Sequence, residues 1–226
     1  MVKPFKVKIP NSLIQEIKDK VKKYPWHEMP SEGGWEYGTN LNYMKEISNY
    51  WVNDFDWNKH QEEINKFSNF ISKVEEIDIH FIHEKGSGNN PTPLLLMHGW
   101  PGSIVEFIHI IKKLAHPEKF GGNENDAFDV IVPSLPGFGF SGRPSHPIGP
   151  RKIGEVLNQL MTKKLGYKNY LAQGGDWGAT ICNWLAYDHS EHCKAIHINC
   201  LTMRHPEGPQ NKEERDWQNR FDKDQI

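Results

Sequence analysis

A carboxylate stands where the chain turns from a short strand into a helix. The sequence GGDWG occupies residues 174–178, between an apolar segment at 170–172 and a helical pattern at 179–186. Strand, glycine-flanked turn and helix make up a nucleophile elbow, which holds one side chain out above a sheet. We expect Gly175 and Gly178 to accept unusual backbone angles and to clear space around Asp176. The elbow usually carries Ser, so an Asp moves the predicted chemistry away from ester and peptide hydrolysis. Capping of the following helix is the simpler alternative for this carboxylate.

A second turn could supply hydrogen-bond donors to the same site. The sequence HGWPGS, residues 98–103, directly follows the apolar run 94–97, and Gly99, Pro101 and Gly102 shape a tight turn there. Such a turn can point the backbone N–H of Trp100 into a site, and the residue after the nucleophile, Trp177, provides the second donor. Two such donors form an oxyanion hole, each contributing on the order of 3 kcal/mol to a charged intermediate. An ordinary strand-to-helix turn is the alternative.

Two further features of these motifs have less reactive interpretations. His98 stands at the strand end beside the proposed oxyanion turn, where we expect it to brace the loop rather than to act as a base. Residues 137–142 match GxGxxG in letters. A dinucleotide site would require that run to open a helix, yet Arg143 and Pro144 continue it as a loop. We therefore predict a loop that shapes the site.

The elements around these motifs alternate between strands and helices from Val74 onward. Residues 77–81 alternate as a strand, buried strands are predicted at 94–97 and 130–132, and further strands at 170–172 and 195–198, with helices between them. Residues 1–72 are predicted to be helical without a strong strand, the first helix being capped at Asn11 and Ser12. This alternation predicts an α/β fold with a mostly parallel sheet, helices on both faces and an N-terminal helical region. The three motifs follow strand ends, where such sheets bind ligands.

Composition excludes several classes of protein. The 226 residues carry a formal net charge of −2, which gives no basis for a nucleic-acid partner. Three unevenly spaced cysteines form no disulfide framework, and no Cys/His spacing predicts a metal site. We expect no cofactor. The N-terminus shows no apolar leader, and no membrane anchor is seen, so a soluble cytoplasmic protein is predicted.

In this order the motifs resemble the α/β-hydrolase fold of the epoxide hydrolases, of the microsomal and juvenile-hormone type. HGWPGS, GGDWG and the PGFGFS run at 136–141 are similar to that family's oxyanion, nucleophile and loop motifs. Trp35 and the segment 50–57 resemble the family's N-terminal region. The resemblance implies an N-terminal region at 1–72, a hydrolase core at 73–200 and the start of a lid at 201–226.

The resemblance also implies a reaction. Asp176 would attack an epoxide carbon to form an alkyl ester. Water would then attack the carboxyl carbon while the N–H groups of Trp100 and Trp177 hold the oxyanion, and a vicinal diol would leave. The partners implied are a small-molecule epoxide and water, and the implied role is detoxification.

The same resemblance leaves part of the site unassigned. The family's general-base His, its acidic partner and two lid tyrosines follow the elbow, and no position of this chain matches them. The lid and the last strands are therefore expected to be missing, as in an N-terminal fragment. Two alternatives stay open: a haloalkane dehalogenase-like hydrolase, for which Trp177 could serve as a halide donor, and an inactive, truncated, non-enzymatic relative.

Overall fold

The computed structural model describes residues 1–28, 34–201 and 207–223, and its centre is one mixed sheet. In the described residues the sheet has seven strands, in the spatial order β1-β2-β3-β5-β4-β6-β7. Their ranges are Val2–Pro4, Asn69–Val74, Ile77–Glu84, Thr92–Met97, Phe128–Pro133, Tyr170–Gly174 and Cys193–Ile198, numbered β1 to β7 in chain order. β4 to β7 are parallel to one another, whereas β1, β2 and β3 pair antiparallel. The predicted α/β fold with a mostly parallel sheet is confirmed.

The sheet is buried on both faces, which explains the continuous apolar runs of its central strands. In β4, Leu94 and Leu96 belong to one hydrophobic cluster, and Leu95 and Met97 belong to the other. Successive side chains of a strand point to opposite faces, so a strand that is covered on both sides must be apolar at every position. This burial holds the carboxyl ends of β4, β5 and β6 side by side.

Seven α-helices in the described part of the chain flank this sheet or extend from it. They are α1 Asn11–Lys22, α2 Leu41–Asn53, α3 Trp57–Ile64, α4 Ile111–Ala115, α5 Pro150–Gln159, α6 Trp177–Asp188 and α7 Lys212–Lys223. Residues from α5 and α6 join one hydrophobic cluster, and residues from α3 and α4 join the other. Helices therefore cover both faces, as predicted. Among the described helices, none is both long and apolar enough to cross a bilayer.

The N-terminal region is not purely helical, contrary to the prediction. β1 and β2 add to the sheet, and the expected boundary between residues 72 and 73 falls inside β2. β2 and β3 form a hairpin in which Val74 faces Ile77 across the two residues Glu75 and Glu76. Glu75 has φ 51°. Two-residue hairpin turns normally use Gly, Asn or Asp at such angles, so the sequence gives no signal for this turn. The apolar residues that precede the turn are spaced as in a helix, and the region was therefore predicted to be helical.

Two local predictions also differ from the structure. Pro10 occupies the position before α1 and its side chain makes no capping hydrogen bond, so the expected cap by Asn11 and Ser12 is wrong. Between β4 and β5, where the sequence analysis expects a helix, the chain forms a 3₁₀ turn, Ile104–Phe107, and the short helix α4. α5 continues as a π-helical turn, Leu160–Lys164. Of the expected lid segment, residues 202–206 and 224–226 lie outside the described residues.

Candidate active site

The two motif turns leave neighbouring parallel strands at the same edge of the sheet. Met97, the last residue of β4, is registered opposite Gly174, the last residue of β6. The HGWPGS turn and the GGDWG turn therefore begin next to each other. Pro101 follows Trp100 through a cis peptide bond. Adjacent parallel strands are the arrangement that the sequence predicted for a shared site.

Asp176 occupies the apex of the turn between β6 and α6 in a conformation that non-glycine residues rarely adopt. Its backbone angles are φ 49° and ψ −122°. Its carboxylate Oδ1 accepts a hydrogen bond of 2.7 Å from the backbone N–H of Trp100, and its side chain makes no capping bond to α6. Strain of this kind costs on the order of 1–3 kcal/mol, and it persists where surrounding contacts determine the backbone. The geometry matches a presented carboxylate better than a helix cap.

The electrostatics of this turn favour the charged carboxylate. The backbone amides of Trp100 and Trp177 lower the pKa of Asp176, against a smaller opposing effect of burial. The helix α6 begins at the next residue, Trp177, and directs the positive end of its dipole toward Asp176. Asp176 is exposed, as are the side chains of both tryptophans. At neutral pH the turn thus holds an accessible anion whose negative charge faces two backbone donors.

The glycines of both turns are required for space rather than for unusual backbone angles. Neither Gly175 nor Gly178 has positive φ, so the expectation that they accept the unusual angles is wrong, and Asp176 itself carries that conformation. A Cβ on Gly178 would overlap the carbonyl oxygen of Met97, and a Cβ on Gly99 would overlap Asp176 Oδ1. Any side chain at either position would therefore separate the two turns or displace the carboxylate.

His98 joins the oxyanion-type turn to the loop that follows β5. Its ring is fully buried, with Nδ1 2.9 Å from the Gly99 carbonyl oxygen and Nε2 3.1 Å from the Leu135 backbone nitrogen. The Leu135 N–H must donate to Nε2, so the neutral ring carries its proton on Nδ1 and donates to Gly99. Burial lowers the pKa of His98, which keeps the ring neutral. His98 therefore braces the turn, and among the described residues its ring makes no hydrogen bond to Asp176.

A buried network of hydrogen bonds supports the PGFGFS loop, and the sequence did not predict it. Ser141 Oγ donates to the Ser134 carbonyl at 2.6 Å and accepts from the His80 N–H at 2.9 Å. The His80 ring lies 2.9 Å from Ser134 Oγ and 3.0 Å from Asn69 Oδ1. The next helix after this loop, α5, begins only at Pro150, so the run does not open a helix as a dinucleotide-binding loop would. Only alternation in β3 pointed to His80, and the pattern marked it as solvent-facing.

No cluster of three His, Cys, Asp or Glu side chains suited to a metal is found within residues 1–28, 34–201 and 207–223. In the same ranges, no His ring is hydrogen bonded to the Asp176 carboxylate. The functional groups of the site are one carboxylate and the backbone amides that face it. Such a set can attack an electrophilic carbon and stabilise an oxyanion, and it offers few ligands for a cation.

The sheet order and the elbow between β6 and α6 define an α/β hydrolase. The chain belongs to the α/β-hydrolase family, whose model, described as alpha/beta hydrolase fold, matches residues 92–225. A second model, described as epoxide hydrolase N terminus, matches residues 2–107, so the strands β1 and β2 belong to that region together with α1, α2 and α3. The recognised resemblance to epoxide hydrolases is confirmed.

Curated relatives of this chain are also named as epoxide hydrolases. The chain is 38% identical over 209 residues to Epoxide hydrolase 1 of Sus scrofa, covering 90% of this chain and 46% of that protein. It is 33% identical to Juvenile hormone epoxide hydrolase 1 of Ctenocephalides felis, covering 91% and 44%. The chain spans about half the length of the curated relatives it matches.

Solved structures agree with the fold. The epoxide hydrolase of Aspergillus niger superposes with a TM-score of 0.83 at 30% identity, covering 99% of this chain and 60% of that one. The juvenile hormone epoxide hydrolase of Bombyx mori gives a TM-score of 0.81 at 30% identity, covering 92% and 49%.

Proposed function

We propose that this chain supplies the nucleophile and the oxyanion-binding half of an epoxide hydrolase site, with Asp176 as the residue that becomes esterified. The observation that carries the proposal is the 2.7 Å bond from the Trp100 N–H to Oδ1 of a carboxylate at the apex of an elbow. Similarity to epoxide hydrolases over about nine tenths of the chain supports the substrate class.

The chemistry follows from the two carboxylate oxygens. Oδ1 accepts the Trp100 N–H, which leaves Oδ2 to attack an epoxide carbon as the ring C–O bond breaks and its oxygen takes a proton. Oδ1 then becomes the carbonyl oxygen of the ester. Attack of water at the ester carbon returns one proton to solvent, which balances the proton taken up by the epoxide oxygen. It places negative charge on Oδ1, where the amides of Trp100 and Trp177 stabilise it. Collapse of this intermediate releases the vicinal diol and restores the carboxylate.

The ester step can be tested on this chain by intact-protein mass spectrometry. After incubation with styrene oxide, an apolar aryl epoxide, we expect either a covalent adduct with the full mass of the epoxide or accumulation of the diol. Peptide mapping should place any adduct on Asp176. An Asp176→Asn variant should form neither product, because the amide oxygen is a far weaker nucleophile.

Asp188→Asn is the matched control. This variant makes the same substitution at the last residue of α6. The wild-type Asp188 side chain pairs with Arg151 at 2.7 Å, away from the motif turns. It should react like the wild-type chain. An adduct that persists in Asp176→Asn, or that maps to another side chain, would show that the nucleophile is wrongly assigned. Release of halide from a chlorinated alkane, with no reaction of the epoxide, would favour the dehalogenase alternative.

A further inference from the structure

A large apolar cavity lies between the N-terminal helices and the hydrolase core. Its volume is about 700 Å³, and its walls come from α1, α2, the 3₁₀ turn at Ile104–Phe107 and the loop containing Phe140. None of the described residues of α1 is buried, so the apolar side of that helix faces the cavity instead of a packed core. Asp176, Trp100 and Trp177 do not line it. Its size and apolar walls are those of a small-molecule site.

One buried donor in this cavity has no acceptor. Trp57 Nε1 is inaccessible to solvent and lacks a hydrogen-bond partner in the part of the chain that the structure describes. Trp57 lines both the apolar cavity and a smaller polar pocket of about 360 Å³ beside it. A buried N–H without a partner costs about 1–3 kcal/mol, so native proteins rarely keep one without a reason. An acceptor oxygen supplied by a ligand would remove that cost.

The polar pocket adds a positive charge at the same place. Lys18 lines both spaces, and it has no hydrogen-bond or ion-pair partner among the described residues. Two carboxylates also line the polar pocket. Asp54 is exposed to solvent, and Asp56 Oδ1 already accepts the N–H groups that begin α3, at 2.9 and 3.4 Å. The junction of the two spaces therefore combines an unsatisfied N–H and an unpaired ammonium group.

We propose that this cavity is a second ligand site, which binds a fatty-acid-type molecule. The acyl chain fills the apolar cavity, and the terminal carboxylate accepts the Trp57 indole N–H and pairs with Lys18. A carboxylate satisfies both donors, because one oxygen accepts the indole N–H and the negative charge pairs with the ammonium group. A cation or a pure hydrocarbon leaves the indole N–H without a partner. This site is separate from the proposed esterification at Asp176.

Isothermal titration calorimetry with laurate and dodecyltrimethylammonium, both kept below micelle formation, tests the proposal. The two probes share one chain length and differ in head group. We expect laurate to bind at least about tenfold more tightly than the cation, and Trp57→Phe to weaken laurate about tenfold while leaving the cation unchanged. Lys18→Gln should likewise weaken the binding of laurate and not that of the cation. It provides a second test if the Trp57 variant folds poorly.

Two controls separate this site from other features. Trp35→Phe alters an exposed ring that packs on Tyr43, with 5.2 Å between centroids, and should leave laurate binding unchanged. Asp176→Asn should also leave it unchanged, so failure of the proposed reaction and failure of this site are distinguishable. Equal binding of both probes, insensitive to Trp57→Phe, would overturn the proposal. A dimer in sedimentation that Ile47→Glu dissociates would overturn it too, because a second copy would then fill the cavity.

Discussion

Acidification should destabilise this protein well above the pH at which carboxylates titrate, and His80 provides the sharpest test. Its ring is fully buried between the rings of Phe5 and Phe140, at centroid distances of 5.0 and 5.1 Å. Burial lowers the pKa of His80 from 6.5 to about 4. Ser134 Oγ and Asn69 Oδ1 are both within hydrogen-bond distance of the neutral ring. A charged ring would lose solvation and gain no anionic partner.

The size of the effect follows from linkage between protonation and folding. The unfolded chain binds a proton on this ring below its ordinary pKa of 6.5, whereas the folded chain does so only near 4. Stability is therefore complete above about pH 7 and falls by up to about 1.4 kcal/mol per pH unit between these two values. Lowering the pH from about 7 to about 5 should cost about 2 kcal/mol from His80 alone. His83, whose pKa burial also lowers to about 4, changes stability in the same direction.

Urea unfolding at several pH values, followed by circular dichroism, measures this loss. His80→Asn removes the titrating ring, so the variant should start less stable at neutral pH but lose about 2 kcal/mol less than the wild type on acidification to about pH 5. Comparing the pH dependence of the two proteins removes the difference in their starting stability. If both proteins lose the same free energy of unfolding over this interval, the ring is not held neutral by burial, and the reasoning fails.

Two other substitutions test packing and hydrogen bonding. Gly178→Ala should destabilise the fold by about 1–3 kcal/mol in urea unfolding, because its Cβ would overlap the Met97 carbonyl. Gly149→Ala, where a Cβ meets nothing within 4 Å, should cost only about 0.5 kcal/mol, from the weaker N-cap of α5, and equal effects of the two would contradict the close approach. Tyr167→Phe should cost about 1–2 kcal/mol, because the Tyr167 hydroxyl donates to the buried Asp129 at 2.6 Å. An unchanged thermal midpoint for this variant would show that the bond contributes nothing net.

The predictability of each element depended on whether its signal was local. β4 and β5 were found because a strand buried on both faces must be apolar throughout. β2 was missed because its pairing with β3 is made through a turn at Glu75 and Glu76, two residues that do not favour such turns. Lys152 and Gln159 bond to Glu75 at 2.9 and 2.8 Å, so partners far along the chain support that turn.

The candidate site shows the same division. Residue types alone identified Asp176 and the two turns as a candidate site, because a carboxylate between glycines after a strand predicts a nucleophile elbow. The distance between that carboxylate and the Trp100 amide depends on β4 and β6 being neighbours, although Trp100 and Asp176 are 76 residues apart. The cavity beside Trp57 depends in the same way on how the N-terminal helices pack against the core.

The sequence by itself determined which chemical groups are available and the local order of strand, turn and helix around them. Tertiary structure decided which residue bears the strained backbone: Asp176, with the glycines providing clearance. It also decided that His80 and His98 are buried and neutral. Local patterns encode hydrogen bonding and hydrophobicity along one element. Close approach, desolvation and the pairing of distant amides arise only when separate elements pack together.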